Sequence, residues 1–260
     1  MANSELIVEV EDGICWLYLN RPEKLNSITM EGIGCLRDEL TRFKNDANVK
    51  AIVISGVGGK SFCTGLDLTA LADEVGFFKL HQERSNLGEL FELMWSYPKV
   101  IFAMVDGYAL AAGFGLAAAC DFVIASSESS FGAPEINVGL WPFVITVPLL
   151  RYINPRMLLD IMLTGRRITA DEALGLGIIN AVVAKADLLN ATRTKVNEVI
   201  SRSGSVIALG KTSFYQAMDM GSNQAFSYLH SMLSLATQLE DSKEGIEAFV
   251  HKRPPTWTDR

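Results

Sequence analysis

Three stretches of this 260-residue chain contain residue types and spacings that could do chemistry. In "FGAPEINVGLWPF" (131–143), Glu135 follows Pro134 and has Phe131, Ala133, Ile136 and Val138 around it. A carboxylate facing an apolar pocket has its pKa raised and becomes suited to proton transfer near neutral pH. Local composition fits a surface glutamate as well. The other two stretches are glycine-bearing loops, "SGVGGKSFCTGLDL" (55–68) and "VDGYALAAGFG" (105–115), each read as following a strand and opening into a helix. Backbone bare of large side chains at a helix start exposes N–H groups that can bind an anion or a developing oxyanion. Two such donors, one per loop, are what a carbonyl oxygen gaining negative charge requires. Tight turns and close helix packing would call for the same glycines.

Other chemistries find little support. Neither loop has the GxxxxGK[ST] spacing of a phosphate loop or the dinucleotide fingerprint. Ser61, Thr64 and Ser130 lack a histidine at any suggestive spacing, so a serine triad is not indicated. His81, His230 and His251 are isolated and read as partly exposed helix residues. Cys15, Cys35, Cys63 and Cys120 stand far apart without a CxxC pair, as reduced, mostly buried thiols do, so neither a zinc site nor a disulfide framework is expected. Asp67 and Asp121 sit beside small residues and read as caps or turn formers.

Composition narrows the partners. Net charge is −7 and the 23 basic residues are scattered, with only Arg166-Arg167 and Lys252-Arg253 adjacent, which excludes a stripe for a nucleic-acid backbone. The start "MANSELIVEV" is acidic and alternating, and no apolar run reaches the roughly 20 residues of a spanning helix. A cytoplasmic protein with no membrane partner is expected.

The elements that must position the three stretches can be read from periodicity. "LIVEV", "ICWLYLN", "AIVISG", "VIFAMVDG" and "DFVIAS" read as strands, several apolar on both faces as in sheets covered by helices. Ile33, Leu36, Leu40 and Phe43 mark a helix, "ELFELMW" another, and Ala111 to Ala119 a small-residue helix. After Asn154 the pattern turns helical. Asn154-Pro155 offers a cap and first helical position, Thr169 with Glu172 and Asp241 with Glu244 read as capping boxes, and "IINAVV" is one interrupting strand. The expectation is an α/β chain with a strand-rich core over about 1–155 and a helical remainder that no long linker separates.

Taken in order, these motifs resemble the enoyl-CoA hydratase/isomerase (crotonase) superfamily over nearly the whole chain. "LNRPEKLNSI" (19–28), "SFCTGLDL" (61–68), "DGYALAAGFGLAAACD" (106–121), "FGAPEINVGLWPF" and "LTGRRITADEALGLGIINAVV" (163–183) are each similar to a family block. The resemblance implies a crotonase-like spiral of ββα repeats over 1–200, with a helical region over 201–260 at the interface of a homotrimer or dimer of trimers. It implies an acyl-CoA thioester as substrate, coenzyme A being part of that substrate, and no metal or redox cofactor. The two oxyanion donors map to the N–H groups of Leu66 and Ala112, although the family usually has glycine at the latter, and the acid/base maps to Glu135. Lys24, Leu25, Gly65, Asp67, Leu68, Trp141, Phe143 and Lys252 map to substrate-binding positions, with Lys252-Arg253 suited to the coenzyme A phosphates.

One departure directs the functional expectation. Two-carboxylate hydratases of the superfamily place their first glutamate where this chain has Gly115, and glycine cannot move a proton. The aspartates of the dienoyl-CoA isomerases correspond to Gly115 and Phe143, which argues against that branch. A single glutamate can still carry a proton from C2 to C4, so a 3-enoyl to 2-enoyl isomerase is expected. Hydration or dehydration of a specialised acyl-CoA or carrier-bound substrate is the alternative, and a non-catalytic CoA-binding scaffold is the alternative of another class.

Overall fold

Each turn of the chain through its first half lays down two strands and then a helix. The structure is a computed structural model that describes residues 5–67 and 77–260. Strands β1 (Leu6–Glu11) and β2 (Ile14–Leu19) form an antiparallel hairpin whose two-residue turn, Asp12-Gly13, has positive φ at both positions. That is the Asp-Gly turn whose twist suits a hairpin. Helix α1 (Met30–Phe43) is capped by Thr29, whose Oγ1 accepts the Gly32 N–H, and it buries Ile33, Leu36, Leu40 and Phe43 as their spacing requires.

The repeating unit then begins. Strands β3 (Ala51–Gly56) and β4 (Ser61–Cys63) precede helix α2 (Phe77–Trp95), and β5 (Val100–Val105) and β6 (Tyr108–Leu110) precede α3 (Ala112–Ala119). Strands β7 (Phe122–Ser126) and β8 (Ser130–Gly132) precede a 3-10 turn, Pro134–Val138, and α4 (Phe143–Leu150). Helix α5 (Pro155–Thr164), β9 (Arg167–Thr169), α6 (Ala170–Gly175), β10 (Ala181–Val183) and helices α7 (Leu188–Ile200), α8 (Gly204–Met218), α9 (Ser222–Ala236) and α10 (Glu240–Val250) follow. The first strand of each pair joins a six-stranded sheet of order β1-β2-β3-β5-β7-β10, parallel from β2 onward. The second joins a four-stranded sheet of order β4-β6-β8-β9, in which only the β8–β9 pair is antiparallel. This is the mixed α/β spiral expected.

Two of the three expected helix starts in the second half hold. Asn154 accepts the Arg156 N–H with Pro155 at the first helical position, and Thr169 and Glu172 form a reciprocal capping box. The third is corrected. Helix α10 begins at Glu240 with Leu239 as its cap, and Asp241 is buried instead among the chain's last residues. Its carboxylate accepts the backbone N–H groups of Thr258 and Asp259 and the Ser203 hydroxyl, while Glu244 takes both Arg253 nitrogens at 2.6 and 2.8 Å. The tail's unpaired donors outcompete the helix start for these carboxylates.

Helix α8 is fastened to the core by a buried ion pair. Lys211 Nζ lies 2.7 Å from Asp121 Oδ2, with the Lys99 carbonyl 2.8 Å away, and Asp121 also accepts the Ile101 N–H and the Tyr215 hydroxyl. Asp121 is thus the backbone holder expected of it. Removing the cation alone strands a buried carboxylate, so Lys211→Met is expected to cost about 3–5 kcal/mol, read as a lower urea midpoint at unchanged slope. A loss below about 1 kcal/mol would mean that the pair behaves as a surface pair.

Candidate active site

The short sheet sets the site. Strands β4, β6 and β8 are adjacent and parallel, so the segments leaving their carboxyl ends, 64–67, 111–112 and 133–135, emerge on the same side. Carboxyl ends of parallel strands are where α/β sheets form ligand crevices. The register fixes the neighbours: Leu110 pairs with Gly132, and the Ala111 N–H donates to the Gly132 carbonyl at 2.9 Å.

Helix α3 is buried along its whole length, and its small residues let it lie against β4. A Cβ on Gly113 would fall 2.2 Å from the Cys63 carbonyl oxygen. The helix is entered through Ala111, at φ 51 and ψ −126, a positive-φ conformation that glycine adopts freely and L side chains rarely take. That strained conformation sets the orientation of the peptide carrying the Ala112 N–H. As the first residue of the helix, Ala112 has no backbone acceptor among the described residues.

Leu66 reaches a comparable state by another route. It forms an isolated parallel bridge with Ile28, in which Ile28 N–H donates to the Gly65 carbonyl at 2.8 Å and Asp67 N–H to the Ile28 carbonyl at 2.9 Å. A bridge that uses the groups of 65 and 67 turns the N–H of Leu66 itself to the opposite side. Leu66 thus sits in a bridge, and the residues after Asp67, where the first loop was read as opening into a helix, lie outside the described residues. The two loops touch: a Cβ on Gly65, at φ 109, would lie 2.7 Å from Ala111 Cβ and 3.5 Å from the Ala112 nitrogen.

Glu135 lies in the 3-10 turn after β8, half-buried, and its Oε2 is buried with no hydrogen-bond partner. Burial raises its pKa, and the one opposing influence is its own backbone N–H. The thiol beside the site is no rival nucleophile, since burial pushes Cys63 up to about 11.

A family model described as enoyl-CoA hydratase/isomerase matches residues 9–260. The chain belongs to the enoyl-CoA hydratase/isomerase family. It is 35% identical over 248 residues to the mouse "Enoyl-CoA hydratase domain-containing protein 3, mitochondrial", covering 95% of this chain and 82% of the relative. It is 32% identical to a crotonyl-CoA hydratase of Syntrophomonas wolfei, covering 97% of each. A crystal structure of an enoyl-CoA hydratase from Mycobacterium smegmatis superposes with a TM-score of 0.94 at 28% identity, covering 97% of this chain and 98% of that one.

Within this hydratase/isomerase chain, position 115 is filled from outside. A Cβ on Gly115 would lie 2.4 Å from Ile145 Cγ2, 2.8 Å from Ile145 Cβ and 3.3 Å from Phe91 Cζ. The space that a side chain at 115 would take is thus occupied by the first turn of α4 and by α2. Sequence reading found the gap but not its filler, which comes from thirty residues downstream.

The remaining expected residues scatter more widely. Lys24 ends an exposed 3-10 turn, and Leu25, at φ 51, receives the Thr64 hydroxyl on its carbonyl at 3.2 Å, which brings 24–25 beside the first loop. Asp67 has one carboxylate oxygen 2.7 Å from Arg21 Nη2, a contact between side chains. Trp141 is partly buried against the core, and Phe143 is 75% exposed at the start of α4. Lys252 is exposed just past α10, and Arg253 is committed to Glu244. Leu68 lies outside the described residues. Among the described residues, no helix is long and apolar enough to cross a membrane.

Proposed function

We propose that the chain isomerises a 3-enoyl-CoA to a 2-enoyl-CoA, with Glu135 as the sole proton carrier. The thioester oxygen accepts from the N–H groups of Leu66 and Ala112. The Glu135 carboxylate removes a proton from C2, and the C–H electron pair moves into a dienolate whose charge those donors stabilise. The resulting carboxylic acid returns the proton at C4, leaving the double bond between C2 and C3. Atoms and charge balance, and the glutamate ends as it began.

The observation that carries this reading is the pairing of an unpartnered, buried Glu135 Oε2 with a position 115 closed by Ile145 and Phe91. Holding and splitting water calls for a second polar group, whereas moving one proton along a chain does not. Hydration is the second reading, favoured by the hydratase names of the relatives; it would need water activated at Glu135 alone. Assaying 3-enoyl-CoA and 2-enoyl-CoA side by side separates the two. Shift of the double bond with little hydration is expected, and rapid hydration with negligible isomerisation would sink the proposal.

The same reading assigns Lys24, Leu25 and Lys252 to the coenzyme A end and Gly65, Asp67, Leu68, Trp141 and Phe143 to the surroundings of the acyl thioester. It also takes residues 201–260 as an assembly region for a homotrimer or a dimer of trimers. Phe226, Leu233, Ile246 and Phe249, apolar and exposed on α9 and α10, support that assignment.

A further inference from the structure

We infer that Arg21 and Asp67 are a positioning pair that aims the Leu66 N–H at the thioester oxygen. The inference rests on the donor role proposed for Leu66 and adds residues that touch no reacting atom. Leu66 is held by a single bridge to Ile28, and Gly65 before it, at φ 109 and without a Cβ, gives the loop little stiffness of its own. Arg21 grips both sides of that bridge. Its Nη1 donates to the Ser27 carbonyl at 2.8 Å, one residue before Ile28, and its Nη2 donates to Asp67 Oδ2 at 2.7 Å, one residue after Leu66.

A planar guanidinium is suited to this task, since its nitrogens are fixed relative to each other and two acceptors on one fork are held at a set separation. The fork is itself anchored. The Arg21 N–H donates to Asn26 Oδ1 at 3.0 Å, Nε lies 3.5 Å from Glu5 Oε1, and Glu5 Oε2 accepts the Thr29 hydroxyl at 2.7 Å. Asn26 ties the same segment to the start of the first loop through the Val57 and Ser61 carbonyls at 2.9 and 2.7 Å. Side chains of the Arg21–Asp67 pair are only 18% and 10% exposed, so solvent does not dissolve the contact as it does a surface pair.

The test uses Asp67→Asn, nearly isosteric, and Arg21→Lys, which keeps the charge but can serve only one of the two acceptors. In each, kcat on 3-enoyl-CoA is expected to fall about 10- to 100-fold with KM within about threefold, the signature of an interaction that matters in the transition state. The second readout is the infrared carbonyl stretch of a carbonyl-labelled saturated acyl-CoA, which cannot react. Binding to the parent protein is expected to lower that stretch, and each variant should lose part of the lowering while its melting curve stays cooperative. Unchanged kcat and stretch in both variants overturn the inference while leaving the donors in place, as does a fall in kcat that only follows loss of folded protein. No lowering of the stretch in the parent protein overturns the donor reading itself, and the positioning role with it.

Discussion

Glu135→Gln is expected to reduce turnover by about 10²- to 10⁴-fold while leaving acyl-CoA affinity nearly unchanged. The amide keeps the shape of the side chain but can neither accept nor return a proton at C2 and C4. Titration calorimetry with a saturated acyl-CoA reads the affinity, and initial rates read the turnover. Two pH measurements bind the result to the environment of the carboxyl. Burial raises its pKa, and the base form is the one that starts the reaction, so kcat/KM should climb with pH along an acid limb set above the ordinary glutamate range. Stability runs in the opposite sense. A carboxyl whose pKa is higher in the folded chain than in the unfolded one binds its proton more tightly when folded, so ionisation weakens the fold as pH rises through those two values. The glutamine variant should therefore match or exceed the parent in thermal stability at neutral pH, and that advantage should vanish in acid. Turnover that survives the substitution would remove Glu135 from the mechanism.

How much of this could be read beforehand depended on how local the cause was. The buried face of α1, the Asn154-Pro155 start and the Thr169–Glu172 box are each decided within a few residues, and the sequence shows them. Strands β4, β6, β8 and β9 are three residues long, too short for alternation to register, and they are the strands that bring the three loops together. The Asp241–Glu244 pattern misled because its competitors, Arg253 and the N–H groups of Thr256, Thr258 and Asp259, arrive from a tail folded back on α10. The same holds at the site. "GLDL" pointed to Leu66, yet nothing near it in the chain announces Ile28 or Arg21, which fix its orientation from about forty residues away.

Gly115→Glu is expected to produce no hydratase and to damage the fold, although it supplies the residue that the resemblance to two-carboxylate hydratases implies at this position. Its Cβ alone would come 2.4 Å from Ile145 Cγ2 and 3.3 Å from Phe91 Cζ, in a helix with every residue buried. Overpacking of that kind costs about 1–3 kcal/mol. The carboxylate would add the further cost of a buried charge with no cation assigned to it. The single variant should thus melt several degrees lower and show weaker isomerisation, with no gain in hydration of 2-enoyl-CoA. Adding Ile145→Ala removes the branched side chain that closes the gap, so stability should partly return, and hydration should appear in this double variant if it appears in either. The comparison tests the filler rather than the glutamate. Should the single variant hydrate 2-enoyl-CoA and melt like the parent, Ile145 yields readily, water has room beside Glu135, and the hydratase reading displaces the isomerase.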